Sequence, residues 1–444
     1  MTYVIFSFDT EDPVHPEGAD AIARLAKTLS DAGEVGCFNT TGGLARALVE
    51  WGRDDVIETM KHHEIDIHSN RHSVHPTINE YTDVADYGSA LAAFNKDEGE
   101  CVDTLRAIFG IDSLPAACPP GDNCSYVARY GYSEMGIPIY TGDVVADNTH
   151  GRPVGFCNIN SLHYFSPSME RMFFNADEKY FRDLLDKLAT RETAVIYHHP
   201  ARSYYTTYWD AINFNRKNTP KEDWSFSPRH TDEEIDKFYE NFALLIKLIQ
   251  NDPRFEITTY REYGKKLRSE RKITADLLPD IKAQLEADFF PVTTPDSFCI
   301  SDVFLACRDL LLGKSEHVCG KVYGFLEEPY AINEPVTVTA EEMKESAKHL
   351  NEDGFLPDYV YVDDKKLGPA DWMRAAIEII MGKETVTVTP APWQIDVDKV
   401  PGLGYKYKGV WLFCDNFEDN YLSKRQMLQS WTLRLPKNTA RYFG

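Results

Sequence analysis

Two histidines four residues apart stand just past a short apolar run, in Ile65-Asp66-Ile67-His68-Ser69-Asn70-Arg71-His72-Ser73-Val74-His75-Pro76. At that spacing one turn of backbone can bring two imidazoles to a single metal ion. Three histidines in so short a stretch is dense for a chain that has only 13. A second stretch, Asp9-Thr10-Glu11-Asp12, also ends an apolar run. Together the two can offer a carboxylate and two imidazoles to one ion, with a spare carboxylate to take a proton from water. Asp9 and Glu11 face the same side of a continuing strand. The plainer account of such acids is a helix N-terminus, where the dipole favours them.

A third candidate follows Thr193-Ala194-Val195-Ile196-Tyr197, which leads straight into His198-His199-Pro200. Adjacent strand residues point to opposite faces, so only one of the two histidines faces a site. At a strand end opposite the other groups, that one suits a general acid. His63-Glu64 opens like the H-E-x-x-H helix of zinc proteases, but Ile67 stands where the second histidine belongs, so that motif is absent. After His199 come Tyr204, Tyr205, Tyr208, Trp209, Phe214, Trp224 and Phe226. Sugar rings stack their C–H faces on aromatic side chains, which suits a saccharide cleft. Packed under a long loop, the same rings make a small core of their own.

The elements that must position these groups follow a β-α rhythm. Tyr3 to Phe8 is continuously apolar, as a buried parallel strand is. Ala21, Ile22, Leu25, Ala26, Leu29 and Ala32 recur at helical spacing before Gly33. Residues 36–39 form a short strand, 44–51 and 54–61 read as helical, and 64–67 is the third strand, which delivers His68. A helix over 84–109 and strands near 114–118, 137–140 and 156–159 follow. A helix over 177–190 then precedes the strand 193–197. Thr231-Asp232-Glu233-Glu234 is a capping box opening a helix to Gln250, ahead of a strand over 255–260. Alternation of this kind predicts a parallel sheet, open or closed into a barrel, with ligands at the C-terminal strand ends. Asp9, His68, Cys118 and His198 or His199 all fall just past such ends.

At 444 residues the chain exceeds a usual single domain. The reading divides it into an α/β unit over 1–264, a charged linker or connecting helix over 265–291, a small, mostly helical domain over 292–390, and an aromatic-rich segment over 391–444. A hydrophobic content of 43% with 12% aromatics supports a sizeable core. The net charge of −23, without clustered basic residues, argues against nucleic acid. It also disfavours polyanionic substrates. Nine cysteines without a C-x-x-C, the nearest pair being Cys118 and Cys124, read as reduced thiols in an intracellular protein. No basic leader and no long apolar run stand in the sequence, so the expectation is a cytoplasmic protein without a membrane span. Oligomeric state is not legible.

Phe8-Asp9-Thr10-Glu11-Asp12, residues 63–72, and Ile196-Tyr197-His198-His199-Pro200 resemble the motifs of the polysaccharide deacetylase (NodB-homology) carbohydrate esterases. Gly36-Cys37-Phe38-Asn39-Thr40-Thr41-Gly42 and Cys118-Pro119-Pro120-Gly121 extend the resemblance, in family order, over roughly residues 3 to 260. It implies a distorted (β/α) barrel, a divalent metal, commonly zinc, and removal of an N-acetyl group from a carbohydrate. By resemblance Asp9 is the base, Glu11 or Asp12 the carboxylate ligand, and His68 and His72 the imidazole ligands. His199 is the acid, with His198 as the alternative. Tyr204, Tyr205, Tyr208, Trp209 and Trp224 are the candidate saccharide contacts. One departure stands out: the family's third motif begins with an arginine that pairs with the catalytic aspartate, and here that residue is Cys118. Arg71 and Arg202 are the candidates to replace it. The departure keeps two other readings open, a glycan-binding protein without turnover and a hydrolase of a small non-sugar amide. Residues 345–382, through Leu356-Pro357-Asp358-Tyr359-Val360 and a helix over 371–381, resemble a pseudomurein-binding repeat, which implies a glycan-binding accessory module.

Overall fold

The computed structural model describes residues 1–444 except 122, 124, 143–148, 165–168, 171–172, 268–269, 405, 408–409 and 440–444. Cys124 therefore lies outside the described residues. The chain is a mixed α/β protein built on a nine-stranded sheet. Its strands are β1 (Thr2–Thr10), β2 (Cys37–Thr40), β3 (Glu64–Ile67), β4 (Ala116–Ala117), β5 (Ile139–Thr141), β6 (Val154–Phe156), β7 (Ile159–Leu162), β8 (Thr193–His198) and β9 (Phe255–Thr258). The order is β6-β7-β5-β4-β3-β2-β1-β8, and all pairs are parallel except β6 with β7. β9 pairs with Thr2 to Ile5 of β1 and β2 with Ser7 to Thr10.

β1 is buried along almost its whole length because both sheet faces are covered, as parallel strands require. On one face Val4, Phe6 and Phe8 meet the helices. The helix Gly18–Asp31 buries Ile22, Leu25, Ala26 and Leu29 at the spacing read from the sequence. On the other face Ile5, Cys37, Ala116, Ile139, Leu162 and Val195 form a second core, closed at one end by Tyr260 and Tyr263 of the helix Tyr260–Lys266. Residues from β7 and β8, far apart in the strand order, meet in this cluster, so the sheet curls about it. Among the described residues a parallel bridge, Tyr164 to Val195, links the chain after β7 to β8.

Beyond the sheet, Lys272–Thr274 pairs antiparallel with Glu316–Val318, Val336–Thr339 with Thr385–Val388, and Val360–Val362 with Lys365–Leu367. Helices Ile300–Leu311 and Pro369–Ile380 pack Phe304 against Trp372. One apolar cluster runs from Val4 through Trp372 to Leu435, joining this part to the helices around the sheet. The eight described cysteines are free thiols. No helix among the described residues is long and apolar enough to cross a membrane.

Candidate active site

Five side chains predicted for chemistry converge at the C-terminal ends of β1, β3 and β8. Asp9 ends β1, Glu11 follows it, His68 follows β3 and His199 follows β8. His72 arrives through a tight loop in which Ser69 and His72 have φ of +69° and +54°. Ser69 Oγ accepts the His72 N–H at 3.1 Å. The N-terminus of the helix Gly42–Glu50 donates to the loop from Gly42 N to Ser69 O at 3.1 Å and from Gly43 N to Asn70 O at 2.8 Å. A Cβ on Gly42 would come within 2.3 Å of Asn70 Oδ1, so the close approach requires glycine. Buried Glu98 accepts the Asn70 N–H at 3.0 Å and Tyr132 donates to its other oxygen at 2.8 Å, while burial pushes Glu98 up to about 8.

Glu11 is the hub. One of its oxygens, Oε2, lies 3.0 Å from His68 Nε2 and 2.7 Å from His72 Nε2, and the other accepts from Trp209 Nε1 at 3.1 Å. Burial alone would raise its pKa, but the charges of His72 and His199 and the bonds from both ring nitrogens hold it well below the usual carboxylate range. His68 Nδ1, on the far side of the ring, is buried and without a hydrogen-bond partner among the described residues, 3.8 Å from Asp9 Oδ1. One carboxylate oxygen and two imidazole nitrogens, all buried and within 4.8 Å of one another, form the donor set a small divalent cation takes. Asp12 is placed elsewhere: it accepts from Val14 N at 2.9 Å and from His15 Nδ1 at 2.7 Å. Of the two carboxylates left open by the sequence, the structure groups Glu11 with the histidines.

His199 points into the cavity, with Nε2 3.6 Å from Asp9 Oδ2 and 4.0 Å from Glu11 Oε2. Its Nδ1 is hydrogen-bonded to Glu170, whose other oxygen accepts from Tyr208 OH. Burial works against the imidazolium, but the negative charges of Glu170 and Glu11 outweigh it and raise His199 to about 10. Glu170 is lowered to about 2, with His199 overcoming the burial that would raise it. His198 takes the other face. Its ring stacks on Phe238 at 4.7 Å, neither nitrogen has a hydrogen-bond partner among the described residues, and burial lowers it to about 3.

Neither candidate arginine reaches Asp9. Arg71 donates to Asp97 at 2.9 Å, and Arg202 donates to the Tyr205 carbonyl with its guanidinium 4.7 Å from the Tyr208 ring centre. Cys118 is buried in the inner core with Ile5, Val195 and Tyr260. The amide that does hold Asp9 comes from Asn39, whose Nδ2 donates to Oδ1 at 2.7 Å.

The cavity over these groups measures ≈ 730 Å³. Of the five candidate saccharide contacts only Tyr208 lines it. Trp209 is 2% exposed and packs on His72 at 5.3 Å, and Trp224 packs through Phe214 at 6.0 Å, so these rings form a small core with Val14. Tyr205 stacks on His15 at 4.2 Å and Tyr204 lies under Arg229. The wall instead includes Tyr164, Tyr197, Asp210 and Trp411. Tyr197 was accessible to sequence reasoning, since it stands two residues before His199 and shares its face. Glu170, Asp210 and Trp411 carried no local signal.

No family model matches the chain, and no curated protein does. Among solved structures it is similar to a Mycobacterium smegmatis protein provisionally named a polysaccharide deacetylase, at 12% identity over 60% of this chain and 90% of that one, with a TM-score of 0.40. It is similar to the family 4 carbohydrate esterase from Streptomyces lividans in complex with acetate, at 11% identity over 58% and 92%, with a TM-score of 0.32. It is also similar to 4-alpha-glucanotransferase from Thermococcus litoralis, at 12% identity over 60% and 40%, with a TM-score of 0.38. Likenesses of this size leave the function to the site's own geometry.

Proposed function

We propose that the protein is a metal-dependent hydrolase that removes an acyl group, N-acetyl in the first instance, from a saccharide. The observation that carries this reading is the convergence of Asp9, Glu11, His68, His72 and His199 on one cavity. Glu11, His68 and His72 would hold a divalent cation, zinc by the nature of the donors. Such a cation supplies two things: water that ionises near neutral pH and polarisation of the acyl carbonyl. The chain's own groups do the rest. Asp9, held by Asn39, takes the proton from the attacking water. His199, kept protonated by Glu170, gives a proton to the departing amine. Trp209 fixes the free oxygen of Glu11, which aims the other at the two imidazoles.

Residues 1–264 carry every group in this scheme, which supports their reading as the catalytic unit. In residues 292–390 the rings of Tyr359 and Tyr361 lie 5.2 Å apart, with Lys366 Nζ 4.1 Å above Tyr359. That exposed surface supports the accessory glycan-binding role. Cys118 favours the second reading, saccharide binding without turnover, because a neutral amide is a weaker partner for Asp9 than a guanidinium.

The test is acetate release by the zinc-loaded protein from a panel of N-acetylated sugars and oligosaccharides. Turnover that disappears in Asp9→Asn while the metal stays bound supports the hydrolase. A metal-loaded protein that binds the sugars and releases no acetate would sink it in favour of the second reading.

A further inference from the structure

Trp411 belongs to the C-terminal segment, more than 200 residues after His199, yet it lines the cavity above the catalytic groups. It is held there deliberately. The two residues after it, Leu412 and Phe413, are each 1% exposed, and the turn that follows is tied down by polar contacts. Cys414 N donates to Glu80 Oε1 at 2.6 Å, and Arg216 donates to Asp415 at 2.8 Å. Further along, the Asp83 carboxylate accepts the backbone N–H groups of Asn420, Tyr421 and Leu422 at 2.6, 2.7 and 3.1 Å. Gly121, at the end of the Pro119-Pro120-Gly121 turn, makes the approach possible: a Cβ there would lie 3.3 Å from Trp411 Cζ2.

The indole itself stays 42% exposed and has no ring, cation or hydrogen-bond partner among the described residues. A large apolar ring fixed at the mouth of the cavity, with the chain after it clamped, has the properties of a pre-ordered stacking platform. We infer that Trp411 forms a saccharide subsite, stacking on the C–H face of a pyranose ring adjacent to the acylated one. The C-terminal segment thereby completes the substrate site and selects oligosaccharides over single sugars and small amides. This rests on the saccharide part of the proposed function and not on turnover.

Calorimetric titration of the zinc-loaded Asp9→Asn protein with N-acetylglucosamine and its tetrasaccharide separates the two. Trp411→Ala on that background is expected to weaken tetrasaccharide binding ~10-fold, the scale of an aromatic anchor, with a smaller change for the monosaccharide. Trp411→Phe should keep most of the affinity. Tetrasaccharide affinity unchanged in Trp411→Ala, equal losses for both sugars, or no tetrasaccharide binding by the parent overturns the inference. Acetate release by the unmutated protein is read separately, so a failure of the hydrolase reading leaves this test intact.

Discussion

Asn39 donates its side-chain amide to Asp9 at 2.7 Å from the position directly beside it in the β1–β2 register. The same nitrogen lies 2.8 Å from Ser7 Oγ, and Ser7 in turn accepts from Tyr260 OH at 2.9 Å. The pleat explains the arrangement: Ser7 and Asp9 alternate onto the inner face of β1, and Asn39 stands on the inner face of β2. A chain of neutral donors thus leads to Asp9, and Cys118, which stands in the sequence where the resembling family has an arginine, lies buried in the inner core.

The first prediction concerns this amide. Asn39→Leu keeps the buried volume and removes the donor. A hydrogen bond to a charged group is worth about 1.5–3 kcal/mol, which corresponds to roughly 10- to 100-fold in rate if Asp9 must be held to accept its proton. The expected result is a fall of that size in kcat with KM and zinc content little changed. Steady-state kinetics with metal analysis check it, and a kcat within twofold of the parent would exclude the assignment.

The metal set makes a second prediction, this time on composition. His72→Ala and Glu11→Gln should each lose the bound cation, whereas Asp12→Asn should keep it, because Asp12 is spent on Val14 and His15. Chelation should lower Tm and refilling restore it, since a ligand at 100 times its Kd contributes about 2.7 kcal/mol. Metal counts by elemental analysis decide among the three variants. A full equivalent in His72→Ala would remove that histidine from the set.

The contrast between Glu11 and Asp12 shows what the sequence could convey. The alternation of strands and helices, the delivery of Asp9, His68 and His199 to matching strand ends, and the pairing of His68 with His72 follow from periodicity and motif spacing. What spacing cannot resolve is the aim of a side chain in a loop: Asp12 turns back into its own loop through local backbone bonds, and Trp209 is drawn inward by its bond to Glu11. The aromatic run after His199 reads as either a sugar cleft or a small core, and it divides: Trp209, Phe214 and Trp224 fold as a small core while Tyr208 lines the cavity. Contacts made across long separations were least legible. Glu170 finds His199 from 29 residues away, and Trp411 reaches the cavity from a segment with no periodic signal.

A third prediction uses the two adjacent histidines and pH. His198→Phe should retain activity and stability, because both ring nitrogens are buried without partners and the ring already stacks on Phe238. His199→Gln should abolish turnover. Glu170→Gln is the informative variant. Burial opposes the charge on His199, and Glu170 is the largest of the groups that overcome it and raise the folded value from 6.5 to about 10. A raised histidine contributes stability that is fully present below 6.5 and lost as pH rises through about 10. The lowered Glu170 contributes stability present above 4.5 and lost as pH falls through about 2. The parent should therefore exceed Glu170→Gln in stability most clearly between pH 4.5 and 6.5, by denaturant titration across that range. With the counter-charge gone, His199 loses the largest influence raising it and its pKa falls, so the alkaline limb of kcat should move to lower pH. An alkaline limb that does not move in Glu170→Gln would separate His199 from the proton donated to the amine.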